Sequence, residues 1–193
     1  MMLLRFIALC ISVVFIPACT TTTNLAGVPE VKPVTKASPE NRAKIHTELA
    51  ALYYQQGSLK TALAEIDSAL RIDADYAPAY DMRGLVYMQL GENRKAANDF
   101  QRAISLAPSD PDLRNNYGLF LCEQGDYQAG LNQLAQAWGN PLYGTPALAY
   151  QNASHCAAAS GNQTLASEYR QKAERLSGGS VSGRSSQAGG MSR

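Results

Sequence analysis

The cysteines and histidines are the side chains of this 193-residue chain with the widest chemical range. They are Cys10, Cys19, Cys122, Cys156, His46 and His155. Neither histidine is accompanied by a pair of cysteine or carboxylate ligands at the spacing of a metal site. Phosphate-binding glycine loops and nucleophile elbows are also missing from the sequence. The sequence therefore predicts a protein that is not an enzyme, with no catalytic residues, no metal and no cofactor.

The first cysteines belong to an N-terminal segment with the features of a secretion signal. Arg5 precedes an apolar run over residues 6–16, which is shorter than the ~20 residues that span a bilayer. The run ends in Ile16-Pro17-Ala18-Cys19, which resembles the lipobox of bacterial lipoproteins. That resemblance implies a lipoprotein signal peptide over 1–18 and lipidation of Cys19. With Thr20 following, it also implies the outer membrane, facing the periplasm. The alternative is ordinary signal cleavage just before a bystander cysteine.

Composition excludes one class of partner and predicts a tether. The chain has 17 basic and 16 acidic residues, so it lacks the positive field that nucleic-acid binding requires.

Residues 19–37 are rich in Thr, Val and Pro and show no helical period. They are predicted to form a lipidated, extended tether.

Small residues repeat every 34 positions through the middle of the chain. The repeating sets are Gly57, Gly91 and Gly125; Ala62, Ala96 and Gly130; Ala69, Ala103 and Ala137; and Ala50, Gly84 and Gly118. A 34-residue period of helix–turn–helix units is typical of the tetratricopeptide repeat (TPR). The sequence thus predicts an all-α TPR superhelical solenoid over 38–176, with about four repeats at 43–76, 77–110, 111–146 and 147–176. The fourth repeat is degenerate, as expected of a cap, and residues 177–193 are predicted to be a disordered Gly/Ser tail.

The concave surface of such a solenoid is lined by residues from the first helix of each repeat. The predicted partner-binding residues are Tyr54, Asp81, Leu85, Met88, Asn115 and Leu119. The apolar members would bury side chains of a partner, and Asn115 would hydrogen-bond its backbone. His155 falls on the same side, and a lone histidine there is interpreted as a simple contact. A cluster of Lys and Arg that could clamp a terminal carboxylate is missing. The alternative is a groove with no strong partner.

Cys122 and Cys156 remain as a pair once the N-terminal cysteines are assigned. They fall on the first helices of the third and fourth repeats. In the oxidising periplasm they can form a disulfide that joins these repeats. The disulfide is the favoured interpretation, and the alternative is two small buried side chains that never meet.

The most distinctive segments of the chain are Ile45–Ala50, Asp75–Tyr80, Gly84–Met88, Asn115–Cys122 and Asn140–Tyr143, together with the second cysteine, Cys156. These segments resemble the PilW/PilF family of type IV pilus biogenesis lipoproteins. The resemblance implies a pilotin, whose lipid anchors it in the outer membrane. Its repeats would bind secretin subunits and promote their localisation and assembly there. In this family the paired cysteines look like a structural disulfide. Longer family members carry further repeats beyond the four predicted here.

These patterns predict a non-enzymatic lipoprotein adaptor for secretin assembly. The expected partners are the secretin subunit and the membrane, with no nucleic acid and no small-molecule substrate. The alternative is a general periplasmic TPR scaffold for other cell-envelope machinery, such as cell-wall enzymes. A periplasmic hydrolase is disfavoured, because the sequence offers no polar residues that would converge in a catalytic pocket.

Overall fold

The structure, a computed structural model, describes residues 38–185. Its eight helices are α1 Pro39–Gln55, α2 Leu59–Ile72, α3 Ala77–Gln89, α4 Asn93–Leu106, α5 Pro111–Glu123, α6 Tyr127–Trp138, α7 Pro146–Ala159 and α8 Gln163–Ser185. No β-strand occurs within this range. The predicted signal peptide, the lipidation site Cys19, the tether and the last part of the tail lie outside the described residues.

The helices form four antiparallel pairs, one for each predicted repeat. α1 packs on α2, α3 on α4, α5 on α6 and α7 on α8, and each pair contacts the next. The all-α TPR solenoid predicted from the 34-residue period is therefore confirmed.

Each pair turns at a glycine with a left-handed backbone. The φ angles are 73° at Gly57, 72° at Gly91, 84° at Gly125 and 85° at Gly161. Residues with a Cβ rarely adopt this conformation, so glycine is the residue that ends the first helix and reverses the chain. We refer to these four residues as the turn glycines.

Close helix crossing explains the other small residues of the period. A Cβ built on Gly84 would lie 2.8 Å from the ring of Phe100, so α3 and α4 approach closely at this point. Phe100 shares its repeat position with Ile66 and Leu134, and all three are fully buried. The fourth repeat places exposed Arg170 there instead. The last helix thus presents a polar side chain where the preceding repeats bury an apolar one.

A bidentate ion pair joins the two helices of the second repeat. Arg83 on α3 donates from Nε to Oδ2 of Asp99 on α4 at 2.7 Å and from Nη2 to Oδ1 at 2.8 Å. Paired N–H···O bonds of this kind orient both partners. The 34-residue pattern of small residues does not predict this contact.

The last helix departs from the predicted boundary. α8 continues to Ser185, whereas the repeat pattern predicts an end at Leu176 and a disordered tail from 177. No proline interrupts residues 177–185, and adding a residue to an existing helix costs far less than nucleating one. Among the described helices, none combines the length and apolar character needed to cross a membrane.

Candidate polypeptide-binding groove

The first helices of the four repeats lie side by side. α1 contacts α3, α3 contacts α5, and α5 contacts α7. In a TPR solenoid this row of helices forms the concave surface on which such proteins bind partners. We call the surface formed by α1, α3, α5 and α7 the groove.

The apolar centre of the groove is contributed by α3 and α5. Leu85 is half-buried and packs against core residues on both sides of α3, while half-buried Met88 packs against the cluster around Phe100 and Phe120. Leu119 on α5 is also half-buried. All three retain accessible apolar surface, as the sequence analysis expects of a surface that buries a partner's side chains.

Two predicted groove residues are buried instead. Asn115 is 2% exposed and Asp81 is 8% exposed. Asn116 Nδ2 donates to Asp81 Oδ2 at 2.7 Å, Asn115 Nδ2 donates to Asn116 Oδ1 at 3.2 Å, and Asn152 Nδ2 donates to Asn115 Oδ1 at 2.9 Å. We call these four residues the amide network. Both ends of the Asn115 amide are thus used inside the protein, so the expectation that it hydrogen-bonds a partner's backbone is wrong.

The amide network connects three first helices, since Asp81 lies on α3, Asn115 and Asn116 on α5, and Asn152 on α7. Buried polar groups need partners, and a connected set of side chains supplies them across helix crossings. Asn116 and Asn152 share one repeat position once the two residues inserted before α7 are allowed for. That correspondence is the sequence signal that could have revealed the network.

Asp81 is the most perturbed titratable residue of the groove. Burial raises its pKa from the ordinary 3.8 to about 8; the hydrogen bond from Asn116 opposes the shift, and the charges of Asp110 and Asp112 add to it. Its Oδ1 is buried without a hydrogen-bond partner among the described residues. The carboxyl is therefore protonated at neutral pH, because ionisation would leave a buried charge uncompensated.

Tyr54 on α1 responds to the charge of Glu123 on α5. Tyr54 is half-buried, and its pKa is raised first by burial and then by the negative charge of Glu123. The tyrosine hydroxyl thus stays protonated and can donate a hydrogen bond. The two residues are 69 positions apart in the sequence, and α3 lies between their helices in the row of first helices.

A disulfide joins α5 to α7. Cys122 and Cys156 are bonded, with their Cα atoms 5.3 Å apart, so the structure brings together the two cysteines that the sequence leaves as a possible pair. The bond connects the third repeat to the fourth.

A small pocket of about 130 Å³ opens over this disulfide. Its lining residues are Leu119, Cys122, Glu123, Asn152, His155, Cys156 and Ala159. We call it the disulfide pocket. A second depression of about 310 Å³ shares Asn152 and His155 with it and reaches Arg170 on α8. The groove therefore continues past its apolar centre onto α7.

Neither histidine belongs to a metal cluster. His46 Nδ1 lies 2.7 Å from Glu65 Oε2, so its ring joins α1 to α2, whereas His155 is exposed at the wall of the disulfide pocket. Between residues 38 and 185, no three His, Cys, Asp or Glu side chains come together as metal ligands would. What this surface offers chemically is apolar contact and hydrogen bonding, which suits binding of a polypeptide.

Comparisons with protein families define the class of this protein. Tetratricopeptide repeat models match residues 49–115 and 100–137. With four helix pairs in solenoid order, the chain is a TPR protein, a class that typically acts as a scaffold.

Comparisons with individual proteins narrow the class. The chain is 27% identical to the type IV pilus assembly protein PilF of Pseudomonas aeruginosa over 131 residues, which are 68% of this chain and 52% of PilF. It is 29% identical over 137 residues to an uncharacterized protein of Haemophilus influenzae, covering 71% of this chain and 75% of that protein.

Two solved structures agree with these relatives. The crystal structure of PilW, a widely conserved type IV pilus biogenesis factor, matches with a TM-score of 0.66 and 31% identity over 70% of this chain. The structure of P. aeruginosa PilF matches with a TM-score of 0.68 and 25% identity over 72%. This chain is thus a PilW/PilF-like TPR protein. It spans 62% of the solved PilW chain, 63% of the solved PilF chain and about half of curated PilF.

Proposed function

We propose that this protein is an outer-membrane lipoprotein adaptor that binds secretin subunits and promotes their localisation and assembly for type IV pilus biogenesis. The observation that carries the proposal is the similarity to PilW and PilF over 70% and 72% of the chain. It supports a role in the same process, because PilW is described as a type IV pilus biogenesis factor and PilF as a type IV pilus assembly protein. The pilotin role itself rests on the family resemblance of the sequence.

Lipidation of Cys19 supplies the anchor in this proposal. A lipid chain gains about 0.8 kcal/mol for each methylene that it buries, and two or more chains hold a protein stably on a membrane. The groove would then face the periplasm and meet secretin subunits there. The amide network and the disulfide connect α3, α5 and α7, so this part of the groove is pre-organised for a partner.

The decisive experiment is capture of secretin monomers by the full chain. Leu85→Glu combined with Met88→Glu puts two charges on the apolar centre, and we expect at least tenfold weaker capture, the range of a lost apolar anchor. The matched control is Leu142→Glu with Leu176→Glu, since these leucines are 88% and 44% exposed and lie outside the groove helices.

Folding must be checked, because Leu85 also contacts the core. Circular dichroism and thermal unfolding identify a misfolded double variant, and Met88→Gln alone then serves as the milder test. Unchanged capture by a folded variant would remove the groove from the proposal. If the unmodified chain does not capture secretin but does capture a cell-wall enzyme, the alternative of a general envelope scaffold is favoured.

A further inference from the structure

The disulfide pocket has a volume comparable to that of one side chain. Its volume of about 130 Å³ is well below the ~300 Å³ at which small-molecule sites begin. The two cysteines supply buried sulfur surface, with Cys122 7% and Cys156 1% exposed. Leu119 and Ala159 add aliphatic walls. Sulfur and aliphatic carbon favour an apolar occupant, and the size admits a single aliphatic side chain.

The rim of the pocket carries an unneutralised negative charge. Glu123 is exposed at the end of α5, and among residues 38–178 no Lys or Arg lies within ion-pair distance of it. An unpaired carboxylate at a binding surface attracts cations.

One positive group, Arg170, lines the depression beside the pocket. It lies on α8 and is separated from Glu123 by Asn152 and His155. The local field thus has a direction, from negative at Glu123 to positive at Arg170. A bound segment with a cation at the Glu123 end complements this field.

We propose that the disulfide pocket binds an aliphatic side chain of an extended partner segment, and that Glu123 at its rim binds a Lys or Arg of the same segment. This inference rests on the proposed function, in that the groove binds a polypeptide, and it names the chemistry of the segment. In an extended chain, residues i and i+2 point the same way and lie ~6.6 Å apart. Since Glu123 itself lines the pocket, we assign the cation to the position two residues from the aliphatic one.

The test uses a synthetic decapeptide of Gly and Ser with one Leu and one Lys two positions apart. It is added to the ¹⁵N-labelled full chain and followed by nuclear magnetic resonance. We expect shifts at the amides of Leu119, Asn152 and Ala159. Two matched peptides replace the Lys by Glu or the Leu by Gly, and each should bind at least tenfold more weakly.

Two variants separate the parts of the site. Ala159→Phe fills the pocket from an exposed position and should abolish the preference for Leu over Gly. Glu123→Lys reverses the rim charge and should make the Glu peptide bind better than the Lys peptide. The controls are Ala64→Phe and Glu174→Lys, both exposed on second helices, and they should leave binding of all three peptides unchanged.

The outcomes distinguish this inference from the function on which it rests. Absence of shifts with the Lys peptide, or equal binding of the three peptides, overturns the inference. So does secretin capture that depends on Leu85 and Met88 but not on Ala159 or Glu123, and in that case the proposed function stands. If the peptide binds as expected and secretin is not captured, the pocket stands and the secretin assignment falls.

Discussion

Gly130 offers a test in which helix propensity and packing predict opposite results. It lies inside α6 at the position that alanine occupies in the first two repeats, where Ala62 and Ala96 are fully buried. Alanine is favoured over glycine in a helix by ~1 kcal/mol. On propensity alone, Gly130→Ala should restore the repeat pattern and stabilise the protein.

The surroundings of Gly130 predict destabilisation. A Cβ at this position would lie 2.3 Å from Cys122 Sγ, 2.8 Å from the Gly118 carbonyl oxygen and 3.0 Å from the Cys122 nitrogen. The sulfur is held by its bond to Cys156, and the other two atoms are backbone, so none can move aside cheaply. Overpacking costs ~1–3 kcal/mol, and these contacts point to the upper end. After the gain in helix propensity, about 2 kcal/mol of destabilisation remains.

Thermal unfolding measures this difference. For a domain of this size, about 2 kcal/mol lowers the Tm by roughly 4–8 °C. In a background with Cys122→Ala and Cys156→Ala the sulfur is gone, and the cost of Gly130→Ala should fall by at least ~1 kcal/mol, as a double-mutant cycle would reveal. A higher Tm for Gly130→Ala, or the same cost in both backgrounds, would refute the packing argument.

Three further predictions concern the amide network, the anchor and the disulfide. Folded Asp81 keeps a proton that the unfolded chain releases above its ordinary pKa of 3.8, so the free energy of unfolding should fall as pH rises from about 4 to about 8. Asp81→Asn should flatten this fall in thermal unfolding at pH 5, 7 and 9, and an identical fall in the variant would contradict the assignment. Cys19→Ser should release the protein from membranes into the soluble fraction, whereas membrane association that survives a salt wash would argue against lipidation. Peptide mapping without reductant should find Cys122 joined to Cys156, and alkylation of both thiols under those conditions would show that they are free.

The fold was predictable because the 34-residue period marks the positions at which neighbouring helices pack closely. A residue such as Gly84 is small because Phe100 leaves no space for a Cβ, and the same constraint recurs every 34 residues. The end of α8 was not predictable in this way, since exposed Ser177 and Gly178 carry no packing constraint that would mark a boundary at Leu176. The Arg83–Asp99 ion pair was missed because it occurs in one repeat only.

The groove was predictable only in its apolar part. Leu85, Met88 and Leu119 lie where repeat position puts them and keep accessible surface. Repeat position does not distinguish a polar side chain that faces solvent from one that hydrogen-bonds to the next helix, so Asn115 was misassigned. Asn152 was missed for the same reason, since its repeat position does not show that its amide hydrogen-bonds to α5.

The turn glycines affect how such a chain can gain or lose repeats during evolution. Because every hairpin reverses through nearly the same backbone angle, a unit of 34 residues can be duplicated or deleted at the joint of the first two units without altering its geometry. The later joints carry added constraints. Asp81 of the second unit accepts a hydrogen bond from Asn116 of the third, and a disulfide joins the third unit to the fourth, whose turn glycine follows after two extra residues. Duplication or loss of a unit at these joints would leave one of the partners unpaired, so changes in repeat number are tolerated best at the front of the molecule.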